Sequence, residues 1–205
     1  MDNVYLFDLD STVTREEILP SISKLAGLEN EISKITEQAM MGEIPFEDNF
    51  RQRIKILSNI SVKEASTVVE GIKLNEQIVK FIQQNKQKCF IVTSNLDAWI
   101  NKLIAKIGMT DNLFCTKANI ADDKITGVDT ILKKEQIIGK FPNNKIIAIG
   151  DGNNDIKMLE QADVGIAFGG VRKISPKLLE VCDFAVYTEE RICNLLNQIE
   201  GNVII

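Results

Sequence analysis

Short continuous apolar runs recur along the chain, at Val4 to Phe7, Cys89 to Val92, Lys145 to Ile149, Val164 to Phe168 and Phe184 to Tyr187. Between most of them the apolar positions fall at helical spacing, as in Ile78, Phe81 and Ile82 or Trp99, Leu103 and Ile107. Continuous strands alternating with amphipathic helices predict an α/β fold, a Rossmann-like parallel sheet covered on both faces. Leu113 to Thr116 reads as a further short strand, and Asn119 to Asp129 as a small hairpin or flap turning at Asp122-Asp123. From Arg15 to Leu74 the alternation stops. Ile32, Ile35 and Ala39, then Phe46, Phe50 and Ile54, give only helical pattern, with Gly42 and Pro45 between the two helices. The expected organisation is therefore an α/β core from residues 1–14 and 75–205, with a helical cap, residues 15–74, inserted after the first strand.

Composition narrows the function more than the fold. With 205 residues, a formal charge of −5 and its basic residues scattered, the chain offers no positive surface for nucleic acid. No apolar run approaches membrane-spanning length, and the first residues lack the basic head and apolar segment of a signal peptide, so no membrane association and a cytoplasmic location are expected. Histidine is absent and the four cysteines form no C-x-x-C pair. A zinc site of usual composition, a Ser-His-Asp triad and a phosphohistidine are thereby excluded, and acid–base chemistry falls to carboxylates, lysine or tyrosine. Cys89, Cys115, Cys182 and Cys193 are expected to be buried small hydrophobes in a reducing compartment.

In an open parallel sheet ligands bind beyond the carboxyl ends of the strands. Here those ends carry "DLDST" after the first strand, "TSNLD" (Thr93 to Asp97) after the second and "GDGNND" (Gly150 to Asp155) after the strand at Lys145. Buried carboxylates one residue apart are costly unless paired or bound to a cation. Asp8, Asp10 and Asp151 converging in one crevice form a hard oxygen site of the kind that holds Mg²⁺ together with a phosphate. Gly150 and Gly152 let the backbone turn tightly, and Thr93 offers a hydroxyl and N–H groups at an expected helix start, suited to an anion.

The ordered set "DLDST", "TSNLD", a lysine in "LKKEQIIGK" and "GDGNNDIKML" resembles the four motifs of the haloacid-dehalogenase-like phosphohydrolases, and the insertion after the first motif resembles the cap of their phosphoserine phosphatase branch. The resemblance implies that Asp8 attacks phosphorus to give an aspartyl-phosphate and that Asp10 protonates the leaving alkoxide and then activates water. It further implies that Mg²⁺ is held by Asp8, the Asp10 carbonyl and Asp151. Thr93 and Ser94 fall in the phosphate-binding motif. Lys134, favoured over Lys133 by its spacing to Ile137, Ile138 and Lys140, offsets the remaining charge, and Asn154 and Asp155 complete the shell around phosphate, lysine and metal. In the cap, "ITEQAMMGEIPFEDNFRQRI" is similar to the family as a continuous stretch. Arg53 is then set against a substrate carboxylate with Phe46 packing nearby, and Glu17 against an amino group.

Plainer readings stand beside these. Thr14 and Glu17 have capping-box spacing, Arg53 on an apolar stripe can snorkel to solvent, and the Gly150–Asp155 loop also caps a helix near Ile156. Where the family has Ser-Gly-Gly, this chain has Thr93-Ser94-Asn95, which leaves the substrate open between O-phosphoserine and another small phosphometabolite. The expected activity is that of a Mg²⁺-dependent phosphomonoesterase on a small phosphorylated substrate, or a phosphotransferase on the same chemistry, as a monomer or homodimer. A receiver domain would lack both Asp10 and the helical insertion, and a silent binding protein would have lost the nucleophile or the metal aspartate.

Overall fold

The computed structural model describes residues 2–40 and 45–201, with the side chains of 37–40 outside that description. Gly42 and the apolar terminus Asn202 to Ile205 lie outside the described residues. The chain begins with β1 (Asn3–Phe7) and passes into the helices α1 (Ile18–Ser23), α2 (Glu29–Met40), α3 (Phe46–Leu57) and α4 (Val62–Glu70). It continues through α5 (Glu76–Gln84), β2 (Cys89–Leu96), α6 (Asp97–Lys106), β3 (Leu113–Thr116), β4 (Ala118–Ala121) and β5 (Lys124–Val128). The remaining elements are β6 (Lys145–Gly150), α7 (Ile156–Gln161), β7 (Val164–Phe168), α8 (Pro176–Val181), β8 (Phe184–Val186) and α9 (Glu189–Ile199).

Six strands form one sheet in the order β3-β2-β1-β6-β7-β8, and each pairing in it is parallel. Side chains alternate across β1 because the strand period is two. Tyr5 and Phe7 join one core cluster with Ile78, Phe81, Trp99 and Ile192 of α5, α6 and α9, while Val4 and Leu6 join a second with Met158 and Leu178 of α7 and α8. Both faces are covered, which is why the strands read as unbroken apolar runs. The Tyr5 ring meets Phe81 edge-on at 5.3 Å, and its hydroxyl donates to Glu200 at 2.7 Å, so α9 is tied to the first strand.

The helices α1 to α4 lie between β1 and β2 in sequence, and an isolated antiparallel bridge between Thr14 and Leu74 brings their entry and exit together. α4 buries Ala65 and Val69 and packs along α6. β4 and β5 form an antiparallel hairpin whose turn residues Asp122 and Asp123 both have positive φ, the conformation that a two-residue hairpin turn needs. Asp123 accepts hydrogen bonds from Ser61 Oγ and Lys63 N at the start of α4, and Arg51 of α3 donates to the Val128 carbonyl at 3.0 Å. The hairpin thus joins the core strands to the inserted helices.

Two local expectations change. β2 runs on to Leu96, with a register shift between Val92 and Leu96 where it pairs with β3. Thr93 therefore sits in an irregular strand end, and α6 begins only at Asp97. Of the cysteines, Cys89, Cys115 and Cys193 are buried as free thiols, but Cys182 is only half-buried because it follows the short surface helix α8.

Candidate active site

The strand order reverses direction at β1 and β6, and the loops after these two neighbours supply Asp8 and Asp151. Asp8 N continues the ladder by donating to the Ile149 carbonyl at 2.8 Å, and its side chain is buried. After it the chain turns sharply. Val13 N and Thr14 N both reach the Leu9 carbonyl at 3.0 Å, and Ser11 takes φ 56°, a left-handed conformation held by its N–H donating to Thr14 Oγ1 at 3.1 Å. Thr14 is engaged in this turn and in a bond to the Glu16 carbonyl at 2.7 Å. No capping box with Glu17 forms, since Glu17 makes no side-chain cap to α1.

Lys134 begins a 3₁₀ turn (Lys134–Lys140) and is fully enclosed, pairing with Asp8 and, at 2.6 Å, with Asp155. Lys133 is exposed. Burial alone would lower the Lys134 ammonium, but Asp155 and Asp8 more than offset it and hold the group charged, above its ordinary value. Asp155 also accepts from the N–H groups of Asp151 at 3.2 Å and Gly152 at 3.0 Å, closing the loop on itself. Gly150 is required for that closure, because a Cβ there would lie 2.6 Å from Asp155 Cβ. Asp155 cannot retreat without releasing Lys134 and two N–H groups. Gly150→Ala is therefore expected to destabilise the fold by about 1–3 kcal/mol, read as a lower urea midpoint. An unchanged midpoint would show that the loop relaxes freely.

Burial is the main reason that the remaining carboxyls sit high. It pushes Asp8 well above the ordinary carboxylate range, with Asp155 adding and Lys134 opposing. Asp151 is pushed up to about 7 by burial, with Arg172 opposing and Asp155 adding. Asp10 is raised by burial against donation from Ile18 N at 2.9 Å and from Asn95 Nδ2. One oxygen each from Asp8, Asp151 and Asp155 lie within 4.8 Å of one another, while the Asp10 carboxylate turns away toward Ile18 and Asn95. Neither Asp151 oxygen receives a well-directed hydrogen bond, although Arg172 Nε is in ion-pair contact with one of them. Crowded, buried and under-satisfied carboxylates of this kind fit a hard divalent cation, which would remove their mutual repulsion.

Asp8, Asp10 and Asp151 line one cavity of about 220 Å³ together with Thr93, Ser94, Asn154, Glu17, Phe46 and Arg53, whereas Lys134 and Asp155 are buried and are not among its lining residues. Thr93 Oγ1 accepts from Asn95 N at 3.2 Å, and Ser94 Oγ donates to the Leu132 carbonyl at 3.3 Å. From the inserted helices, Phe46 stacks on Phe50 with centroids 5.8 Å apart and stays partly exposed. Arg53 lies over Phe50 at 5.6 Å, is only 9% exposed, and its Nε has no hydrogen-bond partner among the described residues. Burial lowers the Arg53 guanidinium, with Glu17 and Asp10 opposing. Among the cavity residues that received no site role from the sequence, Asn95 and Arg172 touch the motif carboxylates. Asn95 touches Asp10, and Arg172, in the loop after β7, reaches both Asp151 and Glu17. The strand-end rule that located the other loops would have pointed to Arg172 had it been applied after β7 as well.

Comparison with known proteins agrees with this geometry. Residues 3–163 match the family model of haloacid dehalogenase-like hydrolases. A phosphoserine phosphatase of Methanocaldococcus jannaschii is 32% identical over 177 residues, covering 80% of this chain and 83% of that protein. One from Archaeoglobus fulgidus is 32% identical over 181 residues, covering 80% of this chain and 51% of that protein, so the chain spans about half the length of that relative. A substrate-bound phosphoserine phosphatase structure superposes with TM-score 0.80 at 28% identity, covering 100% of this chain and 99% of that one. A phospho-aspartyl intermediate analogue of phosphoserine phosphatase gives TM-score 0.76 at 28% identity, covering 95% and 98%. The chain belongs to the haloacid dehalogenase-like hydrolases, on their phosphoserine phosphatase-like branch.

Proposed function

We propose that the protein is a Mg²⁺-dependent phosphomonoesterase that works through an aspartyl-phosphate on Asp8 and hydrolyses O-phosphoserine or a similar small phosphorylated metabolite. The observation that carries the reading is the convergence of Asp8, Lys134, Asp151 and Asp155 at the carboxyl end of the sheet, beside a cavity of about 220 Å³. Relatives described as phosphoserine phosphatases, one bound to substrate and one as a phospho-aspartyl analogue, support it.

In the first step an Asp8 oxygen attacks phosphorus, the ester P–O bond breaks, and Asp10 gives its proton to the departing alkoxide. Burial raises Asp10, which favours the protonated form that this step needs. In the second step Asp10 takes a proton from water as the water oxygen attacks the same phosphorus, releasing inorganic phosphate and restoring the Asp8 carboxylate. Lys134, Thr93, Ser94 and Asn154 surround the transferring group, Lys134 supplying fixed positive charge where negative charge is spread. Mg²⁺ would be held by Asp8, Asp151 and the Asp10 carbonyl, and when bound it neutralises charge on the phosphoryl oxygens. Asp155 fixes Lys134 and the loop. The inserted helices, residues 15–74, act as a cap that limits substrates to small molecules, with Phe46 and Arg53 over the distal end and Glu17 beside them.

The test is steady-state phosphate release from a panel of small phosphomonoesters with Mg²⁺ and with EDTA. Metal-dependent release supports the reading, and no release from any ester overturns it. A pH dependence follows from Asp151. Metal binding needs the ionised carboxylate, so protons compete as pH falls below about 7. Apparent Mg²⁺ affinity, followed by calorimetry, should weaken by ~fivefold between pH 7 and 6, approaching ~tenfold per pH unit below that, for one displaced proton. Affinity that is flat over this range would show that Asp151 is not the titrating ligand.

A further inference from the structure

Asn95 stands where the family pattern has glycine, and its side chain lines the cavity while only 2% of the residue is exposed. Three contacts fix it. Its backbone N–H and its Nδ2 both donate to Thr93 Oγ1, at 3.2 and 3.3 Å, and Nδ2 also donates to Asp10 Oδ2. The two hydrogens of the amide thus meet two acceptors, and turned over it would press Oδ1 against the Asp10 carboxylate. The amide has one good orientation.

Each of its neighbours is affected. A hydroxyl accepts two hydrogen bonds and donates one, so with both acceptor positions of Thr93 filled by Asn95 its hydrogen remains for a phosphate oxygen. Asp10 is held from two sides. Asn95 of β2 reaches Oδ2, and Ile18 N, at the first residue of α1, donates to Oδ1 at 2.9 Å. With each oxygen taken by a different element, the plane of the Asp10 carboxyl group is fixed, and the group stays outside the cluster of Asp8, Asp151 and Asp155. General acid catalysis depends on alignment of this kind.

We infer that Asn95 is a positioning residue that aligns the Asp10 carboxyl group for proton transfer to the leaving oxygen of the ester. The inference rests on the phosphatase reading and deepens its first step. In that step the bond from the Asp8 oxygen to phosphorus forms and the ester P–O bond breaks. The Asp10 proton passes to the departing oxygen, which leaves as the free alcohol.

The experiment compares kcat/KM, with Mg²⁺ and the full chain, for two esters of alcohols, O-phospho-L-serine and benzyl phosphate, and for 4-nitrophenyl phosphate. An alkoxide needs a proton in order to leave, whereas 4-nitrophenolate departs without one. Asn95→Ala is expected to lower the ratio of kcat/KM for the better alcohol ester to that for 4-nitrophenyl phosphate by ~tenfold or more. A ratio cancels any general loss through Thr93 or through altered packing. Asn95→Gly, which restores the residue of the family pattern, is expected to lower the ratio equally and decides the matter if Asn95→Ala fails to fold. A ratio that the variants leave in place would make Asn95 merely structural and overturn the inference. A parent that hydrolyses 4-nitrophenyl phosphate alone overturns it too, since Asp10 then delivers no proton. Both of those results leave the phosphatase reading standing, whereas no release from any of the three esters removes that reading as well.

Discussion

Asp8→Asn is expected to abolish phosphate release, by more than ~10⁴-fold in kcat/KM, without unfolding the protein. The amide has nearly the shape of the carboxylate but no charge, and it is too weak a nucleophile to attack phosphorus. The fold should tolerate it. Burial already holds the Asp8 carboxyl well above its ordinary range, so the uncharged form suits the site, and Lys134 keeps its 2.6 Å pairing with Asp155. The thermal midpoint of the metal-free variant should equal or exceed that of the parent. Release within ~100-fold of the parent, at an unchanged midpoint, would move the nucleophile to another residue.

The second large effect is expected at Lys134. Its removal by Lys134→Ala leaves Asp8 and Asp155, both buried, without their shared cation. Breaking one side of a buried charge cluster costs about 3–5 kcal/mol, mostly from the charges left behind. Asp155 also holds the N–H groups of Asp151 and Gly152, so the loop that shapes the site should loosen with it. Lys133→Ala is the internal control. That side chain is exposed, and its loss should stay within about 0.5 kcal/mol. Urea midpoints for the two variants, measured side by side, decide the matter: equal effects would mean that the ammonium is not enclosed as described.

The strands and the helices between them were legible in the sequence because each is a local pattern. A strand buried on both faces must be apolar throughout, and Val4 to Phe7 or Lys145 to Ile149 cannot be read otherwise. The motif carboxylates were legible for a related reason. Ionisable residues directly after such strands are costly unless something meets them, and the parallel topology places those loops at one end of the sheet. The turn at Asp122-Asp123 likewise follows from residues that tolerate positive φ.

What the sequence could not supply is the pairing of side chains far apart along the chain. Thr14 and Glu17 have capping-box spacing, yet Thr14 is consumed by the turn after β1 and Glu17 is taken by Arg172. Thr93 precedes a helix in sequence, yet sheet pairing carries the strand on to Leu96 and moves the helix start to Asp97. Asn95 reads as a departure from a glycine pattern and proves to be a donor to Asp10. The capping preference of Thr14, worth about 1 kcal/mol, yields to the tight turn after β1, and the helix start near Thr93 yields to pairing with β3. The sequence by itself determined the parallel sheet, the run of helices between its first two strands and the carboxylate-rich strand ends, because period, burial and charge cost act over a few residues. Only the tertiary structure decided which lysine is enclosed and which cation holds Glu17, because those choices depend on distances between groups that the chain brings together only on folding.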